Sequence, residues 1–182
     1  IRSFLAFARP QRQAMSRVDA RRVVTDAATL LENSPELSAR HRIAVDVRPG
    51  EVWLQADESQ LRQIVWNLAT NGLRAMPNGG RLLLAIRDTH DPCEADGGIV
   101  VIEVHDEGTG IAPEELDAIF QPFRAGFTRG TGLGLSIVQR IVADYGGEIQ
   151  VTSDSGAGTR VSVRLPRVTA VRRAAALAEN VS

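Results

Sequence analysis

Hydrophobic residues recur along this chain with two periods, one typical of helices and one typical of strands. Helical spacing predicts helices over residues 18–31, 57–76, 113–120 and 136–145. Alternating or short apolar runs predict strands over residues 43–47, 52–54, 81–87, 99–105, 148–153 and 159–165. Because several strands follow one another as hairpins, the pattern indicates an α/β protein with its helices on one face of a sheet.

The helix predicted over residues 57–76 carries an apolar face and a polar face. The apolar face, which we expect to be buried, consists of Leu61, Ile64, Val65, Leu68 and Ala75. A polar row lies roughly 120° away around the helix and consists of Gln60, Gln63, Asn67, Asn71 and Arg74. Asparagine oxygens can ligate Mg²⁺, and an arginine can pair with phosphate, so the row is a candidate site. An ordinary solvated helix face would have the same composition.

Two glycine-containing segments are further candidates. Residues 130–135 read Gly-Thr-Gly-Leu-Gly-Leu and lead directly into a predicted helix, whose N-terminus favours anions. Asp106 ends the strand over residues 99–105 and is followed by glycines at 108 and 110. Its carboxylate suits an exocyclic amino group such as that of adenine. A surface turn is the alternative reading of the same residues.

Composition removes several common classes of phosphate-binding protein. The 182 residues include no lysine, so the chain has neither a P-loop nor the nucleotide-binding lysine of eukaryotic-type protein kinases. Glycines at 130, 132 and 134 lack the spacing of a dinucleotide fingerprint. The net charge of −1 gives no sign of nucleic-acid binding, and the single cysteine fits a reducing compartment.

Four segments in order resemble the nucleotide-binding boxes of bacterial two-component histidine kinases. Residues 67–75 resemble the N box, 106–111 the first glycine box, 119–123 the F box and 130–135 the second glycine box. Residues 155–159 match the closing Gly-x-Gly-Thr element. The wider group includes gyrase and the MutL-type ATPases. The resemblance implies the Bergerat ATP-binding fold, a two-layer α/β sandwich. Its mixed, mostly antiparallel sheet has about five strands, with three main helices on one face.

The resemblance also implies a site for ATP and Mg²⁺. Asn71 would be the Mg²⁺ ligand, Asn67 would lie beside the phosphates, and Arg74 would contact the terminal phosphate. Asp106 would bind the adenine amino group, backed by Gly108, Gly110 and Thr159. An ATP lid would span about residues 112–130. The other implied nucleotide contacts are Ile111, Phe123, Arg124, Arg129, Gly130, Thr131, Gly132, Leu133, Gly134 and Leu135.

Three parts are expected along the chain. Residues 1–17 would be the end of a dimerisation helix with a linker, 18–166 the ATP-binding catalytic domain, and 167–182 a C-terminal tail. His41 is followed by Arg42, and not by the acidic residue and later proline of the family's phosphoacceptor histidine, while His105 lies in the strand of the first glycine box. His90 has both but falls in a predicted loop, so the acceptor is expected outside this chain.

The family implies a set of partners as well. These are ATP and ADP, the dimerisation and phosphoacceptor domain of the parent kinase, and the receiver domain of a response regulator. The fragment is expected to be monomeric and cytoplasmic, without nucleic-acid or membrane contact, and the parent to be a homodimer. Two alternatives stay open, namely an anti-sigma-type serine kinase and a non-catalytic nucleotide-sensing module of the same fold.

Overall fold

The computed structural model describes residues 15–88, 98–121 and 133–167. The helices in these ranges are α1 (Ala20–Leu31), α2 (Glu58–Ala75) and α3 (Gly134–Asp144), with a 3₁₀ turn at Pro113–Ala118. The strands are β1 (Ser16–Asp19), β2 (His41–Val47), β3 (Trp53–Ala56), β4 (Gly80–Asp88), β5 (Ile99–Asp106), β6 (Glu148–Asp154) and β7 (Gly158–Pro166). No helix in the described ranges is both long enough and apolar enough to cross a membrane.

Five of these strands form one sheet in the order β2-β4-β5-β7-β6. β2 and β4 run parallel, and the other three neighbouring pairs are antiparallel. Buried side chains of α1, α2 and α3 share one hydrophobic core with the sheet. This arrangement confirms the predicted two-layer α/β sandwich with a mixed, mostly antiparallel sheet.

The prediction of a helix from residue 18 is wrong at its start. Ser16–Asp19 form β1, which pairs antiparallel with β3 in a separate two-stranded sheet. Asp19 then caps α1, because its Oδ1 accepts the backbone N–H of Arg21 at 3.1 Å and that of Val52 at 3.2 Å. An N-cap residue has extended rather than helical backbone, so the helix begins only at Ala20.

α2 forms where its pattern predicts. Asp57 is its N-cap, and its Oδ1 accepts the backbone N–H of Ser59 at 2.8 Å. Four of the five residues of the predicted apolar face are buried, and they are Leu61, Ile64, Val65 and Leu68. Ala75, the fifth, is only half-buried because it lies at the last turn.

α3 runs antiparallel to α2, which decides where its first turn lies. Just after the end of α3, the hydroxyl of Tyr145 donates to Gln60 Oε1 at 2.6 Å and accepts the backbone N–H of Asp57 at 2.9 Å. The start of α3, at Gly134, therefore comes to the middle of α2, beside Asn67. The fold thereby places the predicted polar row next to the second glycine segment.

Candidate functional site

Asp106 lies at the end of β5 with its carboxylate between the sheet and α2. Its side chain is almost fully buried. The backbone N–H of Gly108 donates to Oδ1 at 2.9 Å, and the backbone N–H of Thr159 also donates to this carboxylate. A Cβ added to Gly72 of α2 would lie 3.4 Å from Oδ2. Asp106 is therefore a hydrogen-bond acceptor held in a fixed position between β5 and α2.

Burial is the main influence on the ionisation of Asp106. It raises the pKa of this carboxyl above the ordinary value of 3.8, because a buried carboxylate loses hydration. The two backbone N–H donors and the nearby His105 pull the pKa down, but by less in total. A buried carboxylate with a raised pKa is one of the features by which binding sites are recognised.

The turn after β5 fits tightly between α2 and the β6–β7 hairpin. The backbone N–H of Thr109 donates to the carbonyl of Ala75 at 3.0 Å, and its carbonyl accepts the N–H of Gly156 at 2.7 Å. A Cβ on Gly108 would lie 2.6 Å from the Ala75 oxygen. Gly110 has a φ of 68°, and a Cβ there would overlap a carbonyl of the hairpin. Only glycines allow this close approach.

Asn67 and Asn71 face the beginning of α3. Asn67 Nδ2 lies 3.4 Å from the carbonyl oxygen of Gly134, at the long limit of a hydrogen bond. A Cβ on Gly134 would lie 3.4 Å from Asn71 Nδ2 and 3.7 Å from its Oδ1. Since Gly72 of the same helix lies against Asp106, three predicted segments meet in one place.

The N-terminus of α3 lies beside Asn67 and Asn71. Leu133 is the N-cap residue, and among residues 15–88, 98–121 and 133–167 no side chain caps the helix. The first N–H groups of a helix have no partner within it, and together they carry a partial positive charge. Leu135 packs its side chain against the hydrophobic core and so holds this end of the helix in place.

Arg74 makes an ion pair that its place in the polar row did not predict. Its Nη2 lies 2.8 Å from Oε1 of Glu36, in the connection between α1 and β2. The hydroxyl of Ser34 donates to the other oxygen of Glu36 at 2.5 Å. The Ser34 hydrogen bond and then Arg74 lower the pKa of Glu36. Glu36 is thus charged and orients the guanidinium at the end of the Asn67–Asn71 row.

Thr159 lies opposite Asp106 in the β5–β7 register and is buried. Its hydroxyl oxygen is 2.9 Å from Ser153 Oγ. Ser153 Oγ also donates to the carbonyl of Gly158 at 2.8 Å and accepts the backbone N–H of Ile111 at 2.8 Å. Ser153 therefore joins β6, β7 and the turn after β5.

Sequence reasoning missed two residues of this site, Glu36 and Ser153. Ser153 left a signal, since it continues the inward-facing positions of β6 after Ile149 and Val151. A buried serine in such a row requires hydrogen-bond partners. Glu36 left none, because its pairing with Arg74 depends on how a connecting segment folds against α2.

Six predicted nucleotide contacts lie outside the described residues. They are Phe123, Arg124, Arg129, Gly130, Thr131 and Gly132. The predicted lid over residues 112–130 is described only as far as residue 121.

Metal binding at this site would depend on few protein ligands. Within residues 15–88, 98–121 and 133–167, no three His, Cys, Asp or Glu side chains are grouped so that they could hold a metal ion. Mg²⁺ commonly takes one or two protein oxygens and completes its shell with water and substrate phosphates. The amide oxygen of Asn71, beside the anion-favouring end of α3, fits that kind of site.

Comparison with known proteins gives matches over most of the chain. Residues 56–169 match the family described as histidine kinase-, DNA gyrase B- and HSP90-like ATPases. The histidine protein kinase DivJ of Caulobacter vibrioides is 39% identical over 153 residues, which make up 81% of this chain and 24% of that kinase. The sensor kinase CckA of Brucella abortus is 37% identical over 193 residues, covering 96% of this chain and 19% of that protein. This chain spans a quarter or less of the length of both relatives.

Solved structures match the fold as well. Full-length ShkA in complex with AMPPNP superposes with a TM-score of 0.72 and 34% identity, over 86% of this chain and 32% of ShkA. The catalytic domain of the histidine kinase ThkA gives a TM-score of 0.73 over 85% of this chain and 97% of that domain. Its identity is 23%, so this second likeness concerns the fold alone.

Proposed function

The chain belongs to the family of histidine kinase-, DNA gyrase B- and HSP90-like ATPases, as the ATP-binding catalytic domain of a histidine kinase, and we propose that it presents Mg²⁺-ATP to a histidine outside this chain. The terminal phosphoryl group would leave ADP and bond to a ring nitrogen of that histidine. A response-regulator aspartate would then receive it.

Asp106 would hold the adenine end of the nucleotide. Its carboxylate can only accept hydrogen bonds, and adenine offers its exocyclic amino group as a donor. Gly108 and Thr159 fix the carboxylate through their backbone N–H groups, so this side chain would lose little conformational freedom when the nucleotide binds. The glycine turn keeps the carboxylate in place, because Gly108 and Gly110 let it pack closely against α2 and the β6–β7 hairpin.

The α2–α3 contact would hold the phosphate end. The start of α3 offers N–H donors that no side chain of the described residues caps, and Asn67 and Asn71 lie against Gly134. Asn71 would supply the protein oxygen for Mg²⁺, which when bound neutralises phosphate charge. Arg74, oriented by Glu36, would reach the terminal phosphate with guanidinium nitrogens other than Nη2.

One observation carries this proposal, namely that Gly72 packs against Asp106 while the neighbouring Asn71 packs against Gly134, which brings Asp106, Asn71 and Gly134 to the same part of α2. Each group suits a different part of one ligand: an amino-bearing base, a hard cation and an anion. Phosphoryl transfer requires mainly positioning and charge stabilisation from the protein, and these groups would supply both. ShkA, which shares the fold at 34% identity, was crystallised with an ATP analogue, and this supports the same use here.

Calorimetric titration with ATP, in Mg²⁺ and then in EDTA, tests the proposal. We expect saturable binding that Mg²⁺ strengthens, and we expect the Asn71→Ala variant to lose most of that Mg²⁺ enhancement. Asn78→Ala is the matched control, since Asn78 is an exposed asparagine in the turn after α2 and should behave as wild type. Folded wild-type protein that binds no ATP would overturn the proposal. An Mg²⁺ enhancement unchanged in Asn71→Ala would overturn the assignment of the metal ligand.

A further inference from the structure

We propose that Ser153 makes this site selective for purines with a 6-amino group, by fixing the hydroxyl of Thr159 as a hydrogen-bond acceptor. The inference rests on the proposed function, since it concerns the base that the same site takes. Ser153 would not touch the nucleotide. It would act as a positioning residue through Thr159.

The hydrogen-bond capacity of Ser153 is fully used by three neighbours. A serine hydroxyl has one proton to donate and two lone pairs that accept. The proton goes to the carbonyl of Gly158 at 2.8 Å, since a carbonyl can only accept. One lone pair takes the backbone N–H of Ile111 at 2.8 Å, since an N–H can only donate. The remaining lone pair faces the hydroxyl of Thr159 at 2.9 Å.

The direction of the Ser153–Thr159 bond follows from this count. Ser153 has no second proton, so the hydroxyl of Thr159 must be the donor. The proton of the Thr159 hydroxyl then points at Ser153, and its lone pairs remain to accept hydrogen bonds from other partners. Both side chains are buried, so water does not readily supply an alternative partner.

Thr159 and Asp106 then present acceptors side by side. They are opposite residues in the β5–β7 register, and the backbone N–H of Thr159 donates to the Asp106 carboxylate. A 6-amino purine brings two N–H donors at this position. A 6-oxo purine such as hypoxanthine brings a carbonyl oxygen, which would face acceptors only. A site built to bind one hydrogen-bonding pattern rejects the other strongly, because its buried groups lose their partners.

Loss of Ser153 would release the Thr159 hydroxyl. Its proton could then rotate toward the ligand and donate to a 6-oxo group, which weakens the discrimination. If Ser153 had a purely structural role, through Ile111 and Gly158, its loss would instead lower the affinity for every nucleotide by the same factor. The ratio of affinities for two bases therefore separates the two roles.

The experiment measures dissociation constants of ATP and ITP, which differ in the 6-substituent and in the proton on N1. The proteins are wild type, Ser153→Ala, Thr159→Val and the double variant, each checked for folding by circular dichroism. We expect the ITP-to-ATP ratio of dissociation constants to fall about threefold to tenfold in Ser153→Ala, the size of one net hydrogen bond. In the Thr159→Val background, Ser153→Ala should change the ratio no further. Ser153→Cys, with a weakly bonding thiol of similar size, replaces Ser153→Ala if that variant does not fold.

Two results would overturn the inference while leaving the proposed function intact. One is a Ser153→Ala protein in which the affinities for ATP and ITP fall by the same factor. The other is an equal fall of the ratio with and without the hydroxyl of Thr159. Wild-type protein that binds neither nucleotide would instead contradict the proposed function itself.

Discussion

Asp106 is held in this fold at a cost to stability. Its pKa is raised by burial, so the native state favours the neutral carboxyl more than the unfolded chain does. For such a group, the stabilising contribution is fully present below the unfolded pKa and is lost as the pH rises through the folded pKa. Above the folded pKa, the ionised carboxylate therefore lowers the free energy of unfolding.

The Asp106→Asn variant should separate binding from stability. We expect ATP affinity to fall by about tenfold or more, because a hydrogen bond to a charged acceptor is worth about 1.5–3 kcal/mol. We also expect the Tm at neutral pH to equal or exceed that of wild type, since no buried charge remains. Calorimetric titration and thermal unfolding followed by circular dichroism measure the two effects. A large fall in Tm together with unchanged affinity would show that Asp106 serves the fold and not the ligand.

For a single residue, the sequence predicted its interaction when the interacting residue lies nearby in the chain. The capping role of Asp57 followed from the residues directly after it, and the structure confirms it. The ion pair of Arg74 with Glu36 and the hydroxyl pair of Ser153 with Thr159 depend on how separate elements come together. No period in the sequence encodes those pairings.

Among the elements, the β6–β7 hairpin holds the turn that follows β5. Gly158 has a φ of 88°, and a Cβ there would overlap the carbonyl oxygen of Asp106. Gly156 in the same hairpin has a φ of 82° but open space around it. Comparing these two glycines therefore separates the free-energy cost of a left-handed backbone from the cost of the close approach between β5 and β7.

Gly158→Ala should destabilise the protein much more than Gly156→Ala. Both place an alanine in a left-handed conformation, at about 1–2 kcal/mol. Only at residue 158 must β5 and β7 also move apart, for about a further 1–3 kcal/mol. Chemical denaturation of both variants and wild type measures the difference in free energy of unfolding. Equal losses would mean that the close β5–β7 approach at Asp106 does not matter for stability.

Sequence periodicity predicted the long elements and missed one short one. α2 and the pair β4 and β5 have strong periods, and the structure places them close to the predicted ranges. β1 has only four residues, and α1 and β2 separate it along the chain from β3, the strand with which it pairs. A strand that short carries too little pattern to be separated from a linker or the start of a helix.

For the molecule as a whole, the five-stranded sheet and its helices form a scaffold with the candidate site along one edge of α2. The sequence predicted this architecture because four ordered boxes resemble a known family and the elements between them have matching periods. The division at residues 17 and 166 stays a prediction. So do the partner domains, since this chain spans 24% of DivJ and 19% of CckA.

Phosphoryl transfer between separate proteins tests the central claim most directly. The chain would be mixed with Mg²⁺, ATP labelled on its terminal phosphate, and the parent's dimerisation domain carrying the acceptor histidine. We predict an acid-labile, base-stable label on that domain, absent when its acceptor histidine is replaced by alanine and strongly reduced with the Asp106→Asn variant. ATP binding without any transfer would contradict the account and indicate a nucleotide-sensing module. An acid-stable label on a serine would contradict it in favour of a serine kinase.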